Sequence, residues 1–260
     1  MLNFSNYRSL LHAAAASLSS KKQLPVRLRP LCRELGVAGI KRSNLDTASA
    51  LLVDASSKPK ILINSAKVGT GRGADSFTPW ERFLIAHELG HLILHRNKVP
   101  SPSGVSEYWK MEVLCDEFAQ RLLIPELVAN EEVSRNREDA RKCLTFVLDI
   151  AKLARVPWFI AASRLADWDD NVAFFRLIQH EEGGYKVVLS TLKRKQGIGQ
   201  RIRQGTRLWE ELSKINLSQQ ITVIDGSRLS GLAALENISK TAVYRTPDEI
   251  RIAIPVSTAA

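Results

Sequence analysis

The most informative segment of this chain reads Arg82-Phe83-Leu84-Ile85-Ala86-His87-Glu88-Leu89-Gly90-His91-Leu92-Ile93-Leu94. Its apolar residues predict a helix, and it contains the pattern His-Glu-x-x-His. His87 and His91 lie one turn apart on the same helix face, so both imidazoles can bind one zinc ion. Glu88 lies beside them, where it can take a proton from a water molecule on the metal. The segment therefore predicts the metal-binding helix of a zinc hydrolase, and within that class a peptidase.

The start of this helix is marked by Thr78-Pro79-Trp80-Glu81. Thr78 is predicted as the N-cap, with Pro79 at the first helical position and Glu81 at the third, which together form a capping box. The helix therefore begins about two turns before His87. The motif falls in the middle of the helix, where the relative positions of its side chains are fixed.

A catalytic zinc site needs a third protein ligand besides the two histidines. His95 is the nearest candidate, but a further turn of helix carries it about 6 Å away along the axis. The residue six positions after His91 is Asn97, so the third histidine of the metzincin pattern is missing. We interpret His95 as a residue of the last turn, where it interacts favourably with the helix dipole.

A second helical pattern spans residues 107–124 and offers a better third ligand. Within it Glu112 and Asp116 are four residues apart, so their carboxylates share one face. If this helix packs against the first, Glu112 can reach the metal, and Asp116 can accept the second ring N–H of a ligand histidine. Glu107 and Glu117 are competing candidates for the ligand position. Alternatively, Glu112 and Asp116 are two ordinary solvated acids without a role at a metal.

Two segments, residues 87–95 and residues 112–125, resemble the ImmA/IrrE family of metallo-endopeptidases. They read His-Glu-Leu-Gly-His-Leu-Ile-Leu-His and Glu-Val-Leu-Cys-Asp-Glu-Phe-Ala-Gln-Arg-Leu-Leu-Ile-Pro. The resemblance covers about residues 45–167. It implies a zincin-like fold in which His87, His91 and Glu112 bind zinc and Glu88 is the general base. Asp116 remains our prediction for the partner of a ligand histidine.

The resemblance also implies a role, which is proteolytic removal of a helix-turn-helix transcriptional repressor. Such cleavage switches on stress-response or mobile-element genes. Some members of the family belong instead to toxin–antitoxin or phage-related operons, and no helix-turn-helix module is obvious at the N-terminus of this chain. The ligand types favour zinc but do not exclude Mn²⁺ or Fe²⁺. The residue that stabilises the oxyanion is not visible in the sequence, and Tyr108, Arg121 and His180 are candidates.

Composition places the chain among globular proteins of a reducing compartment. At 260 residues, 45% hydrophobic and 25% charged, it has room for one large domain or two modest ones. No apolar run reaches the length of a transmembrane helix, so we expect no membrane partner. The three cysteines are odd in number and widely spaced, which predicts a cytoplasmic location.

Basic residues give the chain a net charge of +10. They gather before residue 43 and again between residues 193 and 207, where they could bind the phosphates of a nucleic acid. We do not favour that reading, because aromatic residues do not interleave with the second cluster as base stacking requires. A solvated surface and an acidic protein partner are the alternatives. A DNA-binding or toxin–antitoxin-associated regulator with a structural or vestigial metal site is nevertheless the rival function.

The first 44 residues are interpreted as a basic arm, loosely ordered or helical, followed by a helix from Val26 to Leu35. A targeting peptide is less favoured there, because the apolar part is short. Residues 50–54 and 60–64 predict a hairpin, whose edge strand could bind a peptide by strand addition. The glycine-rich residues 68–74 lack the Gly-Lys-Ser/Thr ending of a phosphate loop and predict a flexible connector or a lid.

The fold class is therefore predicted as α+β, with a small antiparallel sheet packed on helices. Further helices are predicted at residues 125–133, 137–155 and 157–166, and strands at residues 172–179, 185–191, 221–224 and 249–256. The predicted domains are a basic N-terminal arm and helix (1–44), a zincin-like peptidase domain (45–167) and a smaller C-terminal β-rich domain of unknown role (168–260).

Overall fold

A computed structural model of the chain describes residues 2–19, 24–53, 58–66, 77–126, 139–167, 172–191, 198–215, 221–225, 229, 232, 240–247 and 249–255. The chain separates into two compact units. The first consists of Met1–Val128 and Ala151–Pro157, and the second of Ala129–Ile150 and Trp158–Ala260. The domain boundaries at residues 45 and 168 stay predictions.

The first unit begins with helix α1 (Phe4–Leu18), which gives the basic arm a helical structure. The side chain of Asn3 caps it by accepting a hydrogen bond from the backbone N–H of Asn6. Helix α2 (Leu28–Glu34) follows and lies within the range predicted for it.

A three-stranded sheet follows, made of β1 (Gly39–Ser43), β2 (Ser49–Leu52) and β3 (Lys60–Asn64) in the order β1-β3-β2. Strands β2 and β3 pair antiparallel, as the predicted hairpin requires. The expectation of an antiparallel sheet was wrong, because β1 pairs with β3 in parallel. Strand β1 reads Gly-Ile-Lys-Arg-Ser, and its residues are half-buried or exposed. Because its sequence shows no alternation of apolar and polar residues, it was not predicted as a strand. Strand β2 is at one edge of this sheet.

Two long helices, α3 (Pro79–Arg96) and α4 (Val105–Leu123), pack against each other beside the sheet. The capping box of α3 is present: Glu81 N–H donates to the Thr78 hydroxyl, and Thr78 N–H donates to the Glu81 carboxylate. Gly90 permits the close approach, because a Cβ atom there would lie 3.2 Å from Phe118 and 3.3 Å from Cys115. The histidine motif is thereby held directly against α4.

Helices α5 (Ala140–Ala154) and α6 (Trp158–Ala166) come next in the chain, close to their predicted ranges. The predicted helix at 125–133 lies mostly outside the described residues. The glycine-rich residues 68–74 and the first residues of the predicted β-rich domain, 168–171, also lie outside them.

The second unit contains a six-stranded antiparallel sheet with the order β6-β5-β4-β9-β8-β7. One short helix, α7 (Arg207–Ser213), contributes Leu208 and Leu212 to the hydrophobic core. Ala173, Phe175 and Leu177, which alternate along β4 and therefore share one face of the sheet, enter the same core. The strands are β4 (Val172–Gln179), β5 (Tyr185–Ser190), β6 (Arg201–Ile202), β7 (Thr222–Asp225), β8 (Lys240–Arg245) and β9 (Glu249–Pro255).

Sequence reasoning found β4, β5, β7 and β9 but missed β6, β8 and α7. Strand β6 is only two residues long, and β8 was assigned to no element. The residues around α7 were interpreted as part of a basic cluster, although Thr206 is a good N-cap and its hydroxyl accepts a hydrogen bond from Trp209 N–H.

Candidate metal centre

Three side chains from α3 and α4 converge on one point in the first unit. The Nε2 atoms of His87 and His91 are 3.1 Å apart. Each Nε2 atom is also 3.3 Å from a carboxylate oxygen of Glu112. In a tetrahedral zinc site with bonds of about 2.0–2.2 Å, ligand atoms lie about 3.3 Å from one another. Both the donor types and their separations therefore fit a zinc-like ion.

Asp116 orients His87 through the ring nitrogen that does not face Glu112. Its Oδ1 atom lies 2.7 Å from Nδ1 of His87, on the side of the ring away from Glu112. The carboxylate keeps a proton on Nδ1, so that Nε2 is the nitrogen that can bind a metal once its own proton has left. One helix turn separates Glu112 from Asp116, so a single face of α4 provides both carboxylates.

Glu88 is 4% exposed and lies on α3 between the two histidines. The hydroxyl of Ser49, at the start of β2, donates a 2.6 Å hydrogen bond to its Oε1 atom. Sequence reasoning did not identify Ser49, because a single serine at the start of a strand carries no functional signal. The contact depends on how the sheet packs on α3.

A comparison with protein families adds to this geometry. Residues 78–166 match the model of the Peptidase M78 family, described as the IrrE N-terminal-like domain. This segment is therefore similar to an IrrE N-terminal-like domain. The match confirms the resemblance to the ImmA/IrrE family over the part of the chain that holds both site helices. It begins at the N-cap residue of α3 and ends at the last residue of α6.

Comparison with solved structures gives a likeness over the whole chain. A structure named a Mycobacterium tuberculosis transcriptional regulator is 12% identical, with a TM-score of 0.50. The likeness covers 99% of this chain and 98% of that one. At this level of identity it concerns the fold alone. No curated protein matches the chain.

The other acids proposed as ligands lie elsewhere on α4. Glu107 accepts hydrogen bonds from the backbone and the hydroxyl of Ser103, at the start of α4. Glu117 pairs with Arg8 of α1 at 2.9 Å. His95 is exposed. The cluster of possible metal ligands found among the described residues consists of His87, His91 and Glu112, without His95.

Hydrogen bonds between the acids and the histidines of the site shift the pKa values of both. Burial lowers the pKa of His87, but its hydrogen bonds to Asp116 and Glu112 outweigh burial and raise this pKa to about 10. Burial raises the pKa of Glu112, but hydrogen bonds to His87 and His91 prevail and lower it to about 2. The cluster is thus built to hold positive charge, which either protons or a metal ion can supply.

The cluster opens into a cleft of about 710 Å³. Strand β2 forms one wall of the cleft and α4 the other, and all of the lining residues belong to the first unit. Tyr108 lines it, and burial together with the nearby negative charge of Glu112 raises the pKa of Tyr108. Of the three oxyanion candidates, Tyr108 lies in the cleft, Arg121 is not among its lining residues, and His180 belongs to the second unit.

Two further observations concern the chain as a whole. Cys32, Cys115 and Cys143 are buried, and none of the three forms a disulfide bond. Among the described residues, no helix combines the length and the apolar character that crossing a membrane requires.

Proposed function

We propose that this protein is a zinc-dependent endopeptidase with a zincin-like catalytic domain. The observation that supports the proposal best is the convergence of His87, His91 and Glu112 within 3.3 Å of one another, beside a buried Glu88. This arrangement lies in a segment that belongs to a peptidase family. Three protein ligands and an open cleft correspond to a catalytic zinc site, which keeps one position for water.

In the proposed mechanism the three ligands hold the ion, and Asp116 orients His87. When bound, zinc polarises the scissile carbonyl and lowers the pKa of water. Glu88 takes a proton from the attacking water and later gives it to the leaving amine. Ser49 holds one oxygen of Glu88, so the other oxygen is left to accept the proton. Tyr108 is our candidate for the hydrogen-bond donor to the oxyanion, because it lines the cleft.

Strand β2 supports a protein as the substrate. It is an edge strand, and it lines the cleft through Ser49, Ala50 and Leu51. An extended peptide can pair with such an edge through backbone hydrogen bonds, which places its peptide bonds alongside the metal centre. We propose a helix-turn-helix repressor as the natural substrate, with induction of stress-response or mobile-element genes as the outcome. A solved structure of similar fold carries the name of a transcriptional regulator.

We also propose that the protein acts in the cytoplasm, and the three cysteines, which form no disulfide bond, support this location. The rival function, a DNA-binding regulator with a structural metal site, is less favoured. Structural zinc sites have four protein ligands and are closed. Within the described residues, the metal-ligand cluster has three members and faces a cleft.

The decisive variant is Glu88→Gln, which preserves the shape of the side chain but removes the base. Zinc-loaded wild type should cleave peptide bonds in a quenched-fluorescence peptide library, and Glu88→Gln should bind zinc equally but cleave nothing. Glu107→Gln is the matched control, because Glu107 lies at the start of α4 outside the ligand cluster. Undiminished cleavage by Glu88→Gln would contradict the proposal.

A further inference from the structure

Helix α4 exposes apolar side chains on the same side as its two site carboxylates. Tyr108 and Trp109 are 44% and 61% exposed, and both line the cleft. At 100° per residue, these two side chains lie within about 60° of the direction shared by Glu112 and Asp116. Buried residues such as Leu114 and Phe118 point to the opposite side, towards the core. The aromatic pair is therefore not part of the packing of α4 on α3.

The facing wall of the cleft is apolar as well. Leu51 lies in β2 and Val53 directly follows this strand; both line the cleft, and Val53 is 40% exposed. Trp80 and Phe83 of α3 stack with their ring centroids 5.3 Å apart and line the same cleft. An extended peptide on β2 would thus have aliphatic side chains on one side and Trp109 on the other.

Covering two aromatic side chains removes a large apolar area from water. Each aromatic side chain can bury about 150–250 Å². Trp and Tyr are also the residues that dominate binding energy at protein interfaces, and they lose few rotamers when they are buried. A 61% exposed Trp109 next to a metal-ligand cluster is therefore better explained by a ligand than by folding.

We propose that Tyr108 and Trp109 form a subsite that selects protein substrates with a bulky apolar side chain close to the scissile bond. The inference rests on the proposed peptidase function and adds the substrate class. Trp109 and Tyr108 precede Glu112 by three and four residues, which is about 5–6 Å along the helix. An extended peptide advances about 3.3 Å per residue, so the selected side chain lies within about two residues of the cleaved bond.

The occupant is a segment of the substrate, because the aromatic pair is continuous with the metal cleft and faces the edge strand that would bind the peptide backbone. A second copy of this chain is the competing occupant. A self-association surface would need no relation to the metal centre, and the test includes this outcome.

The experiment uses the full-length, zinc-loaded protein and a library of synthetic 14-residue peptides with randomised central positions. Cleavage sites of the wild type, read by mass spectrometry, should be enriched in Leu, Ile, Phe or Trp within two residues of the cut. Trp109→Ala should lose this enrichment. For an enriched peptide, its KM should rise by about tenfold or more, while kcat changes little.

Val113→Ala is the matched control, since Val113 is also exposed on α4 but does not line the cleft. A binding measurement independent of turnover uses Glu88→Gln: fluorescence anisotropy should show weaker binding of the enriched peptide after Trp109→Ala and unchanged binding after Val113→Ala. Equal effects of the two substitutions would overturn the proposed subsite. So would a dimer, seen by light scattering, that Trp109→Ala converts to a monomer.

The two proposals fail in different ways. A wild type that cleaves peptides without apolar preference would overturn the subsite and leave the peptidase function standing. A library cut by neither the wild type nor Glu88→Gln, or by both equally, would overturn the peptidase function and the subsite with it.

Discussion

The hydroxyl of Ser49 donates a 2.6 Å hydrogen bond to Oε1 of Glu88. Ser49 pairs with Ile63 at the start of the edge strand β2, whereas Glu88 lies in the middle of α3. The bond therefore connects the strand proposed to bind the substrate with the proposed general base. It also fixes which carboxylate oxygen of Glu88 remains available.

Ser49→Ala is expected to lower kcat by about tenfold or more and to leave KM and zinc content unchanged. A hydrogen bond to a charged group contributes about 1.5–3 kcal/mol, and here it would be lost from the positioning of the base. Ser49→Thr keeps the hydroxyl and should restore most of the rate. Ser43→Ala, on β1 at the other edge of the sheet, is the control. Steady-state kinetics with the peptide library substrate would show wild-type kcat for Ser49→Ala if the hydrogen bond has no role.

Asp116→Asn is expected to weaken zinc binding by about 10–100-fold. The amide removes the charge that shares the Nδ1 proton of His87, so the ring becomes a poorer ligand and is less firmly oriented. Competition with a chromophoric chelator measures the affinity. Glu107→Gln should bind zinc like the wild type. Equal affinity of Asp116→Asn and the wild type would show that the 2.7 Å contact does not tune the site.

Zinc binding is expected to release a proton from His87. The carboxylates raise the pKa of this residue to about 10, so the ring is protonated at neutral pH and must lose its proton to bind a metal. Glu112, with a pKa of about 2, is already ionised and contributes no proton. The apparent zinc affinity should therefore rise about tenfold per pH unit between pH 6.5 and 8. Calorimetry in buffers of different ionisation enthalpy counts the protons, and a binding enthalpy independent of buffer would contradict the expectation.

Glu249→Gln is expected to destabilise the second unit by roughly 1–3 kcal/mol at pH 7. Its buried carboxylate accepts hydrogen bonds from the Nε atoms of Arg176 and Arg251 and from the indole N–H of Trp158. Burial raises the pKa of Glu249, but the charges of Arg251 and Arg176 outweigh it and lower the pKa. The stabilisation by Glu249 is therefore complete above the pKa that a glutamate has in the unfolded chain, about 4.3. It is lost as the pH falls through the lower pKa that Glu249 has in the folded protein.

The pH dependence of the stability difference between the wild type and Glu249→Gln distinguishes the contribution of the Glu249 charge from that of its packing. The free energy of unfolding of the wild type should approach that of Glu249→Gln as the solution is acidified towards pH 3. Glu182→Gln is the control, because Glu182 is exposed in its pair with Arg201 and should change little. Urea denaturation provides the measurement. A constant difference between pH 7 and pH 3 would point to packing alone.

Local signals in the sequence predicted the helices of the site well. The capping box at Thr78 and the spacing of His87 and His91 depend only on residues one turn apart. Glu112 and Asp116 required the further assumption that two consecutive helices pack together, and the structure brings both residues to the histidines. Such arguments succeed because helix geometry fixes side-chain positions within a few residues.

Features that depend on distant parts of the chain were not predictable in the same way. Strand β1 exists because it pairs with β3 about twenty residues later, and its own residues show no apolar alternation. The contact between Ser49 and Glu88 spans 39 residues and depends on the packing of a sheet on a helix. Trp109 could be assigned to the helix from the sequence, but its exposure in the cleft could not.

The most direct test of the central claim is a zinc titration of chelator-treated protein, with peptide-bond cleavage and bound zinc measured in the same samples. For the wild type, cleavage should rise in proportion to zinc and level off at one equivalent. Glu88→Gln should bind the same single equivalent and show no cleavage at any point. Cleavage without zinc, or cleavage by Glu88→Gln at the wild-type rate, would contradict a zinc peptidase that uses Glu88 as its base.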